Sequence, residues 1–227
     1  VLGAGMSTVN SDGVWEGSLL DFKALHGYWI ITDEEISFSY ELDSLEPLSG
    51  SSIPFQATDP PGEFQFNQST SQAFYYFDSV TINGVALESN DWVGAFKGDI
   101  CVGAQLWDTS SCGNGVCDIT VMGDDGWPES SGYMQSGDIP TFKIYISEDN
   151  YYDAQPSGVI NTNDGECGGV VPECMEWNIN NFYSIDNLNG VIFGCTDPIA
   201  CNYIAEATMD DGGCLENDCT GECGGSV

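Results

Sequence analysis

The sequence contains no arginine, three lysines and one histidine, against 36 acidic residues, so its formal net charge is −33. Nucleic-acid phosphates need cationic partners, and this composition therefore excludes a nucleic-acid-binding protein. The same charge disfavours adsorption to anionic lipid. Close packing of such chains requires neutralisation, for which bound divalent cations or high salt are the usual means.

Catalytic and membrane-spanning motifs are also missing. No apolar run is long enough to cross a bilayer, and the first ten residues lack the basic region of a secretion signal, which we expect to have been removed. No nucleophile elbow, zinc-protease helix or phosphate-binding loop is present. His26 is better explained as a packed surface residue than as a general base. Because acids are so frequent, carboxylate pairs such as Glu34-Glu35 do not indicate a glycosidase. We predict that the protein is not an enzyme.

Cysteine is absent from the first hundred residues and dense in the last sixty. No two cysteines have the CxxC spacing, and the single histidine is far from them in sequence, which disfavours zinc. An even number of cysteines predicts disulfides formed in an extracellular compartment. Spacing favours four pairs and leaves Cys101 and Cys201 unassigned: Cys112–Cys117, Cys167–Cys174, Cys195–Cys214 and Cys219–Cys223. Spacing alone does not determine connectivity.

Short strand-like runs separated by turn residues fill most of the chain, and no segment has a long helical period. The Asn83-Gly84 pair predicts a two-residue hairpin turn. Seven runs between residues 64 and 150 read as strands, namely 64–66, 74–77, 79–82, 92–96, 100–104, 118–122 and 142–146, and residues 181–185 form a further strand-like run. The sequence therefore predicts an all-β protein of antiparallel β-sandwich modules with a small disulfide-rich C-terminal segment.

Composition divides the chain into four parts. Residues 1–50 form an N-terminal β module with strand-like runs between residues 27 and 40, and a stretch rich in proline, serine and glycine follows at 46–63. Residues 64–160 form the predicted β-sandwich domain, and residues 161–193 a loop and closing strand. The last part, 194–227, is an acidic, cysteine-rich repeat with too few large apolar residues to form a core without disulfides or metal.

Three stretches resemble modules of large secreted surface proteins of aquatic bacteria. Trp15-Glu16-Gly17-Ser18-Leu19 and Gly27-Tyr28-Trp29 are similar to the closing half of a β-rich repeat. The run from Val80 through Trp92-Val93-Gly94-Ala95-Phe96 to Ala104, with residues 141–145, resembles a secreted β-sandwich. Gly194-Cys195-Thr196-Asp197-Pro198, Ala200-Cys201-Asn202-Tyr203, Ala207-Thr208 and Asp210-Asp211-Gly212-Gly213-Cys214 resemble a short tandem repeat. The resemblance implies an extracellular or cell-surface location, and an N-terminal module without its leading strands.

Oxygen-bearing side chains cluster in turns, where calcium takes six to eight oxygen ligands. We predict candidate calcium ligands in three groups: Asp197, Asn202, Asp210 and Asp211; Asn161, Asn163, Asp164 and Glu166; and Asp91 with Asp99. None has the spacing of an EF-hand loop. Two alternatives remain open, namely that these residues bond their own backbone in Asx turns and that the acidic surface is simply solvated.

Two functions fit these observations. The first is a structural subunit of an extracellular fibre or surface assembly, polymerising into a homopolymer by strand addition, with calcium at the acidic loops. The donor strand would be Val1-Leu2 or residues 181–185. The second is a monomeric adhesin or carbohydrate-binding module that stacks sugars on Trp92, Trp107, Trp127 and Tyr133. Asn67-Gln68-Ser69 is an N-glycosylation sequon, and the serine- and threonine-rich loops offer O-linked sites.

Overall fold

The computed structural model describes residues 7–9, 14–18, 60–146, 150–163, 165–167, 172–218 and 221–224, all within one compact unit. In these ranges the helical segments are single 3-10 turns, and no helix is long and apolar enough to cross a membrane. The strands are β1 (Ser7–Val9), β2 (Trp15–Gly17), β3 (Gln72–Ile82), β4 (Val85–Ala86), β5 (Trp92–Lys97), β6 (Ile100–Leu106), β7 (Cys117–Met122), β8 (Thr141–Ile146), β9 (Asn150–Thr162), β10 (Gly165–Glu166), β11 (Phe182–Gly190), β12 (Phe193–Gly194) and β13 (Met209–Asp210). The predicted all-β class is confirmed.

Nine strands form one curled sheet in the order β4–β3–β11–β9–β8–β5–β6, with β7 beside β3 and β10 beside β9. The curled sheet brings β7, the partner of β3, against the end strand β6, because a Cβ atom on Gly103 of β6 would lie 2.3 Å from the Thr120 carbonyl oxygen of β7. Glycine permits this close approach of two strands. The sheet thereby encloses its core.

Most neighbours in the sheet are antiparallel, as the sequence predicted, but β11 runs parallel to β3, with Phe182 opposite Phe74 and Gly190 opposite Ile82. On its other side β11 pairs antiparallel with β9. The described ladders therefore include a parallel pair inside the main sheet. Strands β4 to β10 lie between β3 and β11 in the sequence. No local sequence pattern therefore predicts that β3 and β11 pair.

The core follows the alternation of side chains along each strand. Ala73, Tyr75 and Phe77 of β3 point inwards, as do Val93 and Ala95 of β5. A second, smaller cluster lies on the other face of β5 and β6 and consists of Phe64, Trp92, Phe96 and Cys101. Both faces of β5 are therefore buried.

Phe64 corrects one sequence prediction. Residues 64–66 were expected to form a strand, yet Gly62–Phe64 is a 3-10 turn. The Phe64 ring is fully buried and meets Phe96 edge-on at a centroid distance of 5.4 Å. Phe64 is apolar because its ring packs into the second, smaller cluster, called the outer cluster below, and not because it lies on one face of a strand. Predicted strands between residues 27 and 40 lie outside the described residues.

Three of the four predicted disulfides are confirmed: Cys112–Cys117, Cys167–Cys174 and Cys195–Cys214. Cys201 pairs with Cys223, so the predicted Cys219–Cys223 pair is wrong. Cys101 is a buried free thiol. Four disulfides indicate folding in an oxidising, extracellular-type environment.

Candidate functional site

The C-terminal repeat is organised by two disulfides and one asparagine. Short strands β12 and β13 pair in parallel, and Cys195–Cys214 and Cys201–Cys223 tie the loops that follow them. The Asn202 amide bridges the opposite side of the repeat, donating from Nδ2 to the Gly213 carbonyl at 2.7 Å and accepting from the Leu215 amide at 2.8 Å. Asn202 thus holds its own loop against residues 213–215.

The three aspartates of this repeat bond their own backbone. Each carboxylate accepts from the amide two residues later: Asp197 from Ile199 at 2.9 Å, Asp210 from Gly212 at 2.9 Å and Asp211 from Gly213 at 2.7 Å. These are Asx turns, one of the two alternatives to calcium binding that the sequence left open. In the residues that the structure describes, no group of three or more metal-ligating side chains is assembled. Calcium here stays a prediction.

The second predicted group lies where β9 turns into β10. Asn161 pairs with Glu166 across these strands, which places both residues at one end of the sheet. Asn163 is engaged in the fold, because its side-chain oxygen accepts from the Phe182 amide at 2.9 Å. Asp164 lies outside the described residues.

The third predicted group is wrong as a single site. Asp91 directly precedes β5 and Asp99 follows it, so the strand Trp92–Lys97 separates them. A six-residue strand spans roughly 20 Å, too far for two ligands of one ion. Asp91 is 6% exposed, its carboxylate accepts from the Glu88 amide at 2.7 Å, and burial raises its pKa.

The aromatic residues proposed for sugar stacking separate into two classes. Trp92, Trp107 and Tyr133 are buried, whereas the Trp127 side chain is 69% exposed. Asp125 braces the loop that carries Trp127, accepting from the Ser130 hydroxyl at 2.6 Å, from the Thr70 amide at 2.9 Å and from the Trp127 amide at 3.3 Å. These donors, Ser130 first, hold the pKa of Asp125 well below its usual range. Only Trp127 of the four can meet a ligand on the surface.

A contact missed in the sequence joins the N-terminal strands to the Cys112–Cys117 loop, which leads into β7. The Gly17 amide donates to the Val116 carbonyl at 3.1 Å, and the Gly113 amide donates to the Gly17 carbonyl at 2.7 Å. The two bonds form an isolated antiparallel bridge between Gly17 and Gly113, and a series of such main-chain bonds is what adds a strand to a sheet edge. Residues 14–18 are called the docking segment below.

Asp118 anchors the docking segment from the sheet. Its Oδ1 atom accepts from the Ser18 amide at 2.9 Å and from the Ser18 hydroxyl at 2.6 Å, while Thr120 donates to Oδ2 at 3.4 Å. Asp118 is 1% exposed. Burial raises its pKa to about 6, although the Ser18 and Thr120 hydrogen bonds act in the opposite direction. Desolvation therefore outweighs hydrogen bonding at this carboxylate.

Tyr76 stands opposite Asp118 in the β3–β7 ladder. Its side chain is buried, and in the described part of the chain its hydroxyl has no hydrogen-bond partner. Burial, and after it the Asp118 and Glu16 carboxylates, raise the pKa of Tyr76. The contact between segment and sheet thus buries a carboxylate and a phenol together. The sequence gives one indication of this contact, because Asp118 is a charged residue at the start of a strand that is otherwise buried.

One of the two expected donor strands is ruled out. Residues 181–185 overlap β11, which is hydrogen-bonded to β3 on one side and β9 on the other. A strand held on both sides cannot leave the sheet to pair with another subunit without breaking the core. Val1-Leu2 lies outside the described residues.

Comparison with known proteins gives no relative: no protein family, curated protein or solved structure matches this chain.

Proposed function

We propose that the protein is a structural subunit of an extracellular fibre or cell-surface assembly, in which subunits join by strand addition. The docking segment of one subunit would bind the β7 edge of the next. The observation that supports this proposal is the hydrogen bonding of Gly17 to Val116 and Gly113, an antiparallel bridge within one chain beside the start of β7.

Exchange between subunits is physically reasonable because the joint is small. Strands β1 and β2 form a two-stranded sheet with three residues each, and such a hairpin is at best marginally stable alone. The same segment from a second copy would make the same bonds, so the exchange costs little. Joined head to tail, such subunits form an open filament rather than a closed ring.

The charge of the chain supports a role for bound cations in this assembly. In the described residues Lys97 pairs with Asp138 at 2.6 Å and Lys143 with Glu63 at 3.2 Å. Both lysines are thus occupied within the subunit, and neither is available to offset the net charge of −33 between subunits. Calcium at the acidic loops would screen that repulsion, because divalent cations bind carboxylate and carbonyl oxygens.

Negative-stain microscopy of the purified protein tests the proposal. Filaments are expected in calcium and fewer in excess EDTA. Gly17→Pro removes the amide that bonds Val116, and proline cannot adopt the Gly17 φ of 115°, so this variant should remain dispersed. Val85→Ala changes an exposed side chain far along the chain from the segment and should assemble normally. Dispersed wild-type monomers in excess calcium contradict the proposal.

A second candidate is a carbohydrate-binding module, favoured by the exposure of Trp127 on a loop braced by Asp125. Aromatic faces give binding energy at an exposed surface when a ligand covers them. A glycan array with defined hits that disappear in Trp127→Ala, and persist in Val85→Ala, would favour this function. An array without hits would leave the assembly proposal as the better one.

A further inference from the structure

The site that holds the docking segment is built from the Cys112–Cys117 loop and the buried carboxylate of Asp118. We propose that this site recognises a glycine-serine dipeptide at the end of a short strand, with the loop selecting the glycine and Asp118 selecting the serine. The inference rests on the proposed strand addition and names its partner, which is the Gly17-Ser18 dipeptide of a second copy of this chain.

The Cys112–Cys117 loop presents two main-chain groups in fixed positions. A disulfide closes the loop, and inside it the Val116 amide donates to the Gly113 carbonyl at 3.0 Å. The remaining main-chain group of each residue meets Gly17: the Gly113 amide donates to the Gly17 carbonyl, and the Val116 carbonyl accepts from the Gly17 amide. A loop that is fixed in advance loses little freedom when a segment binds, so its geometry can select among segments.

The position that faces this loop requires glycine. Gly17 is buried and has a φ of 115°, a backbone conformation that strains any residue with a side chain. A residue with a Cβ atom would relieve this strain only by rotating the amide and the carbonyl that bind the loop. Gly17→Ala should therefore dock more weakly, although it keeps every main-chain group.

The next position requires a hydroxyl. The Ser18 amide at 2.9 Å and the Ser18 hydroxyl at 2.6 Å both donate to Oδ1 of Asp118, which is 1% exposed. An alanine in place of Ser18 would keep the amide bond but remove the closer donor from a buried carboxylate. Because hydrogen bonds to charged groups are the stronger ones, such a segment should bind roughly ten- to a hundredfold more weakly.

The dipeptide also fixes the register of the added strand. A shift by one residue would place either Gly17 or Leu19 at Asp118, and neither has a hydroxyl. The same shift would place Glu16 or Ser18, each with a Cβ atom, at the position that requires glycine. Since residues 14–18 contain a single glycine, one alignment of the docking segment satisfies both the loop and the carboxylate.

Hydrogen exchange at the Gly17 amide of the dispersed, full-length protein tests the site, because this amide is bonded to Val116 when the segment is docked. Ser18→Ala should lower its protection roughly ten- to a hundredfold, and Ser18→Thr, which keeps a hydroxyl, should retain most of it. In an Asp118→Ala background, Ser18→Ala should have little further effect, because the carboxylate that the hydroxyl binds is gone.

Tyr76→Phe is the matched control. The Tyr76 hydroxyl is buried opposite Asp118 and has no hydrogen-bond partner in the part of the chain that the structure describes, so its removal should leave the Gly17 amide protected. Amides of β5 should keep their protection in every variant and thereby report a folded sheet. If Asp118→Ala loses that protection, the comparison of Ser18→Ala with Ser18→Thr decides alone.

Equal protection of the Gly17 amide in Ser18→Ala and the wild type overturns the recognition of serine, as does an equal loss from Ser18→Ala with and without Asp118. These measurements use monomers and are independent of the microscopy. Wild-type protein that forms no filaments would contradict the assembly proposal, whereas the exchange data decide whether the site recognises the dipeptide.

Discussion

The phenol rings of Tyr75 and Tyr183 stack with their centroids 4.3 Å apart, directly opposite each other in the parallel ladder of β3 and β11. Both hydroxyls leave the stack towards the same segment. Tyr75 donates to the Met175 carbonyl at 2.9 Å, and Tyr183 donates to the Glu176 carbonyl. One aromatic pair therefore joins the parallel strands and holds the loop before β11.

Tyr75→Phe should test the contribution of this loop anchor. The ring stays in place, but the buried Met175 carbonyl loses its partner, and we expect a loss of about 1–3 kcal/mol in the free energy of unfolding. Tyr75→Ala should cost more, about 3–5 kcal/mol, because it also leaves a cavity. Urea unfolding of both variants measures the difference. A negligible loss in Tyr75→Phe beside a large loss in Tyr75→Ala would show that packing, and not the hydroxyl, holds the loop.

A second prediction concerns the approach of Trp177 to Gly123. A Cβ atom at Gly123 would lie 2.2 Å from the Trp177 ring, whose Nε1 donates to the Val121 carbonyl at 3.0 Å. Gly123→Ala should therefore displace the indole and cost about 1–3 kcal/mol. In the double variant with Trp177→Phe, the alanine should cost less than in the wild-type background, because the smaller ring leaves space. Additive losses in thermal unfolding would contradict this contact.

Strands with local signals could be predicted from the sequence. Asn83 and Gly84 adopt the positive φ values of 49° and 74° that a two-residue hairpin demands, and the sequence contains a dipeptide suited to them. Strand β9 was missed because it is long and polar and contains Pro156 and Gly158, which normally interrupt strands.

The candidate site was less predictable than the strands. Ser18 and Asp118 are 100 residues apart, and neither belongs to a recognisable motif. In the C-terminal repeat the aspartates do belong to a recognisable motif, but the motif has more than one possible use. Asp, Asn and Gly in turns serve calcium sites and Asx turns equally well, so composition alone cannot separate these two uses.

The cysteine framework gives a third prediction. Peptide mapping of the unreduced protein should recover Cys201 linked to Cys223, in addition to the three pairs predicted from spacing. Cys101 is 4% exposed, and burial raises the pKa of its thiol to about 12. Because the thiolate is the reactive species, iodoacetamide should leave Cys101 unmodified in the native protein and label it after denaturation. Labelling of native Cys101 would contradict its burial in the outer cluster.

The fourth prediction concerns the loop that presents Trp127. Asp125 binds Ser130, Thr70 and Trp127 through its carboxylate, and Asp125→Ala removes all of these acceptors at once. We expect faster hydrogen exchange at the Thr70 and Trp127 amides, while the amides of β8 keep their protection. Asp124→Ala is the matched control, since its carboxylate accepts only from the Gly126 amide among the described bonds.

Acid should have the same effect on this loop as the Asp125 substitution. The pKa of Asp125 is held below its ordinary value of 3.8, so its ionised form contributes stability above that value, and the contribution is lost as the pH falls towards the lowered pKa. Exchange at Thr70, corrected for the intrinsic rate, should therefore accelerate in strong acid in the wild type and change little in Asp125→Ala. Acid that loosens this loop equally in both proteins would show that another group controls it.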